Sequence, residues 1–276
     1  MDPIPVMVNG IPGKVACTVA RHIQRDPRFR LIDCSLTGPE IQEREYVLAG
    51  KAVRLIRPEA REAAIHEIQA THGNFLSVDY THPSAVNPNA EFYCRHGLPF
   101  VMGTTGGDRQ KLEDAVCSSA IPAVVAPNMA KQIVGFQAMM EYAAQTFPDL
   151  FKGYRLSIRE SHQQTKADTS GTAKAMVRIF NRLGTPFTED QIAMERDPQI
   201  QKTAWGIPEE HLGGHAWHTY TLVSEDGTVR FDFTHNVNGR EIYVNGTLDA
   251  LLFLRDRVAA GVRGRMFSMI DVLKRV

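Results

Sequence analysis

Along the first half of the chain, short apolar runs alternate with longer stretches in which apolar positions recur every three or four residues. The runs fall at 5–8, 30–36, 75–81, 99–102 and 122–126. Between them Val15, Val19 and Ile23 share one helical face, as do Ala64, Ile65 and Ile68. Short strands separated by helices predict a parallel sheet built from crossover units, hence an α/β domain. Each run is followed by Gly, Asn, Thr or Pro, and ligands bind at the carboxyl ends of strands in such a sheet.

The pattern changes after residue 129. Ile133, Phe136, Met139 and Met140 mark a helix, and 154–159 reads as a strand. Tyr220, Leu222, Val229, Phe231 and Phe233 then alternate with polar residues about Glu225, Asp226 and Gly227. That alternation predicts a hairpin, so this part of the sheet is at least partly antiparallel. Leu251, Leu252, Val258 and Val262 return to helical spacing. The expected organisation is a Rossmann-type dinucleotide domain over 1–129 with 246–276, interrupted by an α+β domain over 130–245.

Composition narrows the class. Lys plus Arg and Asp plus Glu are both 31, so net charge gives no footprint for nucleic acid or an anionic membrane. No apolar run reaches the length of about 18 residues that suggests a membrane span. Cys17, Cys34, Cys94 and Cys117 are scattered, without the close pairs of a zinc or redox site. No metal is expected, and the thiols are read as reduced. A strand pattern beginning by Ile4, with no basic-then-apolar leader, gives the expectation of a cytosolic protein.

Gly10, Ile11, Pro12, Gly13, Lys14 and Val15 follow the first strand and open the first helix. Gly10 permits a tight turn, Gly13 lets backbone amides approach a pyrophosphate, and the small Ala16 allows close packing of helix on strand. Many βα turns carry glycines for geometric reasons alone, so this spacing is suggestive only by its place in the first unit. The ribose-holding carboxylate is not apparent, since Asp33 falls inside the expected strand. Lys14 suits a 2′-phosphate, which favours NADPH over NADH. Gly103, Thr104 and Thr105 end another apolar run, and Ala126, Pro127, Asn128 and Met129 end a third. Both suit the wall of the same crevice, with the Asn128 amide placed for a carboxamide.

The chemistry concentrates between Glu160 and Thr172. A strand leads into this stretch, and a helix marked by Ala173, Met176, Phe180 and Leu183 leaves it, with Gly184 as its stop. Ser170, Gly171 and Thr172 stand at the helix start, where amides and hydroxyls hold a carboxylate. His162 and Lys166 sit on the preceding loop, four residues apart, as a pair of cations able to neutralise an anion or donate a proton. These residues predict an anionic substrate and leave the reaction open.

The string Glu160, Ser161, His162, Gln163, Gln164, Thr165, Lys166, Ala167, Asp168, Thr169, Ser170, Gly171 and Thr172 resembles the signature of the 4-hydroxy-tetrahydrodipicolinate (dihydrodipicolinate) reductases. The resemblance extends through Val6 to Gly10, Gly103 to Gly106, Pro127 to Met129, His215 to Thr221 and His235 to Arg240. It implies a nicotinamide-dependent reductase of a small dicarboxylate on the diaminopimelate route to lysine. It implies too that the inserted domain builds a homotetramer. His162 and Lys166 match the residues assigned to catalysis. Gln163, Ser170, Gly171 and Thr172 fall at the substrate, and the three glycine- and proline-containing strand ends at the cofactor. Gln163 in place of a second histidine, and a turn one residue short, resemble the plant-type branch. Pro12 removes an amide donor from the glycine loop. A reductase of another cyclic imine or enamine carboxylate, or a non-catalytic member, stays open on the residues alone.

Overall fold

Strand β1 (Ile4–Asn9) sends Val6 and Val8 to one face and Met7 to the other, all fully buried. Burial on both faces is what a central parallel strand requires. Helix α1 (Lys14–Arg25) lays Ala16, Val19, Ala20 and Ile23 against it. There follow β2 (Phe29–Leu31), β3 (Cys34–Leu36), β4 (Glu45–Leu48), β5 (Lys51–Ile56), α2 (Arg61–His72), β6 (Leu76–Asp79), α3 (Val86–Arg95), β7 (Phe100–Met102), α4 (Arg109–Cys117) and β8 (Pro122–Val125). Helix α5 (Lys131–Thr146) leads to β9 (Arg155–His162), α6 (Gly171–Arg182), β10 (Ala193–Glu195), α7 (Pro198–Thr203), β11 (His215–Val223) and β12 (Arg230–Asn238). The chain closes with α8 (Ile242–Ala259), β13 (Arg265–Phe267) and α9 (Met269–Lys274).

This computed structural model describes residues 2–275. They form two units, one running up to Val134 and resuming at Glu241, the other Gly135–Arg240. In the first, six strands in the order β13-β8-β7-β6-β1-β2 are all parallel. One apolar core takes in α1 and α8 residues, and a second those of α2, α3 and α4. That is the doubly wound α/β arrangement the alternating pattern predicts. The unit boundaries fall at 134/135 and 240/241 rather than 129/130 and 245/246. The reason is local: Val134 on α5, and Tyr243 and Val244 on α8, pack into the first unit's core.

The run 30–36 is not one strand. It breaks after Leu31, and β3 joins a separate three-stranded sheet, β3-β5-β4. Asp33 sits at the break, exposed, with its carbonyl accepting from the Arg54 amide at 3.0 Å. In the second unit the order is β10-β9-β11-β12, with β10 parallel to β9 and the other pairs antiparallel. The expected hairpin is β11–β12; at its turn the Gly227 amide donates to the Ser224 carbonyl, 2.9 Å, with a Gly227 φ of 73°. Helix α6 buries Ala173, Met176, Val177, Ile179 and Phe180 against this sheet. It ends in a Schellman turn, where the Gly184 amide donates to Asn181 and that of Thr185 to Phe180.

Candidate active site and cofactor crevice

Register sets the polar interior of the second unit. Residues directly opposite in an antiparallel pair share a face, and Glu160 lies opposite His218, which lies opposite His235. One row of titratable side chains therefore crosses β9, β11 and β12. Glu160 is 0% exposed, His218 2% and His162 7%. The His218 and His235 rings stack at 4.7 Å, and His162 meets His218 edge-on at 5.1 Å.

A buried carboxylate needs compensation. The Arg196 Nη2 donates to Glu160 Oε1 at 2.7 Å, and the Ser170 amide donates to both carboxylate oxygens at 3.1–3.2 Å. His218 Nε2 stands 3.5 Å from Oε2 and His162 Nε2 3.9 Å. Burial alone would raise the Glu160 pKa; contacts with His218 and Arg196, and the field of His162, outweigh it and hold the carboxyl down at about 2. The ligand-type atoms of Glu160, His162 and His218 all lie within 4.8 Å of one another. Arg196 already balances that carboxylate, so the cluster needs no cation for neutrality.

Two expectations for this stretch change. His162 is the last residue of β9, not part of a loop. It is also not one of a pair of cations. Burial first, then His218, Arg196 and Lys166, overcome the pull of Glu160 and push its imidazole to about 3. At neutral pH His162 is an uncharged N–H donor, and the local cations are Lys166 and Arg196. The turn after β9 is closed by the Lys166 amide donating to the Gln163 carbonyl, 2.9 Å, and Lys166 Nζ pairs with Asp168 Oδ1 at 2.6 Å. Asp168 is 78% exposed in that pair and Lys166 22%.

Ser170 is the N-cap of α6, its Oγ accepting from the Thr172 amide at 3.2 Å. With its amide on Glu160 and the residue buried, Ser170 builds the turn. Gly171 is exposed and Thr172 half-buried, so the first turn of α6 opens outward. Gln163 is half-buried. Sequence reasoning missed Arg196, His218 and Gln201. No spacing rule links them to 160–172; only strand register and the 195–201 segment do.

In the first unit a cavity of about 1010 Å³ lies at the ends of β1, β3 and β6. Gly10, Pro12 and Gly13 line it, with Thr37, Glu40, Arg61, Tyr80 and Thr81. Gly10 has φ 101°, and a Cβ there would come within 2.2 Å of the Tyr80 carbonyl oxygen. The Gly13 amide donates to the Gly10 carbonyl at 2.7 Å, and the first-turn amides of α1 are left for an anion. The turn and the cavity fit a dinucleotide phosphate. Ile11 is buried with its amide on Ser35 Oγ, 3.2 Å, and Lys14 is exposed at the helix start outside the cavity wall. Val15 packs on the core. Thr104 is tied by its hydroxyl to Asp79, and a Cβ on Gly103 would strike the Tyr80 ring, so these two support β6. Thr105 is exposed. Ala126 and Met129 are buried, Pro127 is exposed, and the Asn128 carbonyl caps the Ala130 amide at 2.9 Å, leaving its NH₂ as the group on offer.

Gly10→Ala forces a strained backbone against a carbonyl that cannot move away, a cost of about 1–3 kcal/mol. The expected result is a roughly tenfold or greater loss of dinucleotide affinity by calorimetric titration. Unchanged affinity would place the phosphates elsewhere.

Comparison with known proteins matches this chain to two family models, dihydrodipicolinate reductase N-terminus over residues 4–129 and C-terminus over 133–273. A probable 4-hydroxy-tetrahydrodipicolinate reductase 1, chloroplastic, of Oryza sativa subsp. japonica is 44% identical over 98% of this chain and 78% of its own length. The 4-hydroxy-tetrahydrodipicolinate reductase 1, chloroplastic, of Arabidopsis thaliana is 45% identical with the same coverage. Among solved structures, the dipicolinate-bound dihydrodipicolinate reductase from Paenisporosarcina sp. TG-14 superposes with a TM-score of 0.62. That match is 18% identical and covers 96% of this chain and 97% of the other, a likeness of fold. Four plant relatives at 43–45% identity are named chloroplastic. They overturn the cytosolic expectation and point to the plastid; the strand pattern near Ile4 carries no information on compartment.

Proposed function

The chain belongs to the dihydrodipicolinate reductase family, and from that premise we propose how its residues divide the work. It is a nicotinamide-dependent oxidoreductase, the 4-hydroxy-tetrahydrodipicolinate reductase of the lysine and diaminopimelate pathway. The observation that carries the reading is the juxtaposition of the Lys166 turn and the open α6 N-terminus, both anchored on one buried carboxylate.

When bound, the reduced nicotinamide supplies the hydride of a two-electron reduction. The chain's own groups must supply a proton and hold a dicarboxylate still. The amide of Gly171 at the α6 N-terminus and the Thr172 hydroxyl are assigned to one carboxylate. Gln163 offers a further amide. Lys166 is assigned the proton, because it is the ammonium on this turn and His162 is neutral. His162 contributes an uncharged N–H beside Glu160. Losing the substrate hydroxyl with a ring proton, as water, leaves a conjugated imine; hydride and one proton then add across it.

NADPH is the proposed donor, supported by Lys14 at the start of α1 and by Arg61 on the cavity wall, its guanidinium stacked 4.7 Å over Phe92. Glu40 on the same wall is the group that would suit a ribose hydroxyl. Self-association as a homotetramer is supported by the sheet face bearing Trp217, Thr219, Thr221 and Thr234. The plastid is the proposed compartment.

The test couples the purified protein to a dihydrodipicolinate synthase and follows oxidation of NADPH and NADH in parallel. Turnover with NADPH exceeding that with NADH is expected. A flat trace with active synthase would overturn the substrate and favour another cyclic imine carboxylate.

A further inference from the structure

Four of the five N–H donors of the Arg196 guanidinium are engaged. Its Nε donates to the Lys166 carbonyl at 2.8 Å, Nη1 to the Glu195 carbonyl at 2.9 Å, and Nη2 to Glu160 Oε1 at 2.7 Å and the Asp168 carbonyl at 3.3 Å. Its side chain is 17% exposed and that of Glu160 not at all. Gln201, fully buried on α7, adds Nε2 contacts to the His162 carbonyl at 2.7 Å and the Glu195 carbonyl at 3.2 Å. Segment 195–201 thus grips the backbone of the catalytic stretch at residues 162, 166 and 168. Glu160 at the same time holds the Ser170 amide. One carboxylate therefore ties the turn that carries Lys166 to the cap that opens α6.

We propose that Arg196 is a positioning residue: braced on Glu160, its planar fork fixes the backbone of Lys166 and Asp168 at a set distance from the α6 N-terminus. This rests on the reading of Lys166 and the α6 cap given above. Arg196 acts through Lys166, because four of its five N–H donors are engaged by protein oxygens and its side chain is largely buried. The task needs arginine. A lysine amine satisfies Glu160 as a point charge but cannot reach the Lys166 and Asp168 carbonyls in one plane. The ion pair alone would survive Arg196→Lys; the fork would not.

A double-mutant cycle separates positioning from general support of the fold. Arg196→Lys is expected to lower kcat by about 10²-fold, the scale of a 1 Å misplacement of a catalytic group, with NADPH affinity by calorimetry unchanged. In a Lys166→Ala background the same substitution should change kcat less than about twofold, because the group it positions is gone. An equal fold-loss in both backgrounds overturns the proposal. Hydrogen exchange gives a readout independent of turnover: amides 163–168 should exchange faster in Arg196→Lys. If they do while the parent protein fails to reduce the substrate, the functional reading falls and the brace stands; unchanged exchange overturns the brace. Should Arg196→Lys not fold, Glu160→Gln with Arg196→Gln removes both charges together, and the same acceleration is expected there.

Discussion

Lys166→Ala should abolish most of kcat, by about 10²–10⁴-fold, while leaving NADPH affinity intact. The magnitude is that of general acid catalysis by a positioned side chain. The argument for Lys166 over His162 is electrostatic. A histidine held at about 3 has no proton to spare as a cation at neutral pH, so it serves as a hydrogen-bond donor. Lys166 is partnered by Asp168, which is largely exposed. Such a pair contributes roughly 0–1 kcal/mol, so a substrate carboxylate can replace Asp168 at the ammonium with little loss. His162→Gln should accordingly cost kcat less than Lys166→Ala does. Steady-state assays with saturating cofactor decide it. Near-normal turnover in Lys166→Ala, or a larger loss in His162→Gln, would sink the assignment.

Local signals were legible and long-range ones were not. The parallel sheet, the β11–β12 hairpin and the capped α6 each rest on periodicity or turn chemistry within some twenty residues. Gly10, Gly13, Ser170 and Gly184 each occupy the turn or cap that its type predicts. The strand break at Asp33 is not legible locally, because one acidic residue within the 30–36 run does not reveal that its second half pairs with β5. The β4–β5 strands are hidden for the same reason: their pairing defines a small sheet no local pattern announces. Arg196 lies 36 residues from Glu160 and reaches it only because β10 pairs with β9. The charge of His162 is not legible in the sequence because it depends on burial and on His218 and Arg196. The residue types of the site could be read from the chain, whereas their protonation follows from tertiary packing.

That packing has a measurable consequence in acid. His162, His215 and His235 are all held below the ordinary histidine value, by burial first in each case, His162 to about 3 and His235 to about 4. Facing them are Glu160, Arg196, Lys166, His211 and His218. In the unfolded chain these imidazoles titrate near 6.5. Between that pH and the folded values the unfolded state binds more protons, so stability falls as pH drops, by up to about 1.4 kcal/mol per pH unit for each histidine. Glu160 acts in a lower window. Its folded pKa of about 2 means its contribution is complete above the ordinary carboxylate range and is lost as pH falls from there toward 2. Both trends have the same sign, so the second unit should weaken from about pH 6.5 and go on weakening without recovery. The chain's two tryptophans, Trp205 and Trp217, both lie in that unit. Urea unfolding followed by tryptophan fluorescence at fixed protein concentration should therefore show a midpoint that falls steadily from pH 7 to pH 4.5. His235→Gln should flatten the slope. A midpoint constant over that range would mean that the histidine row is protonated in the folded protein, and the neutral role given to His162 would fall with it.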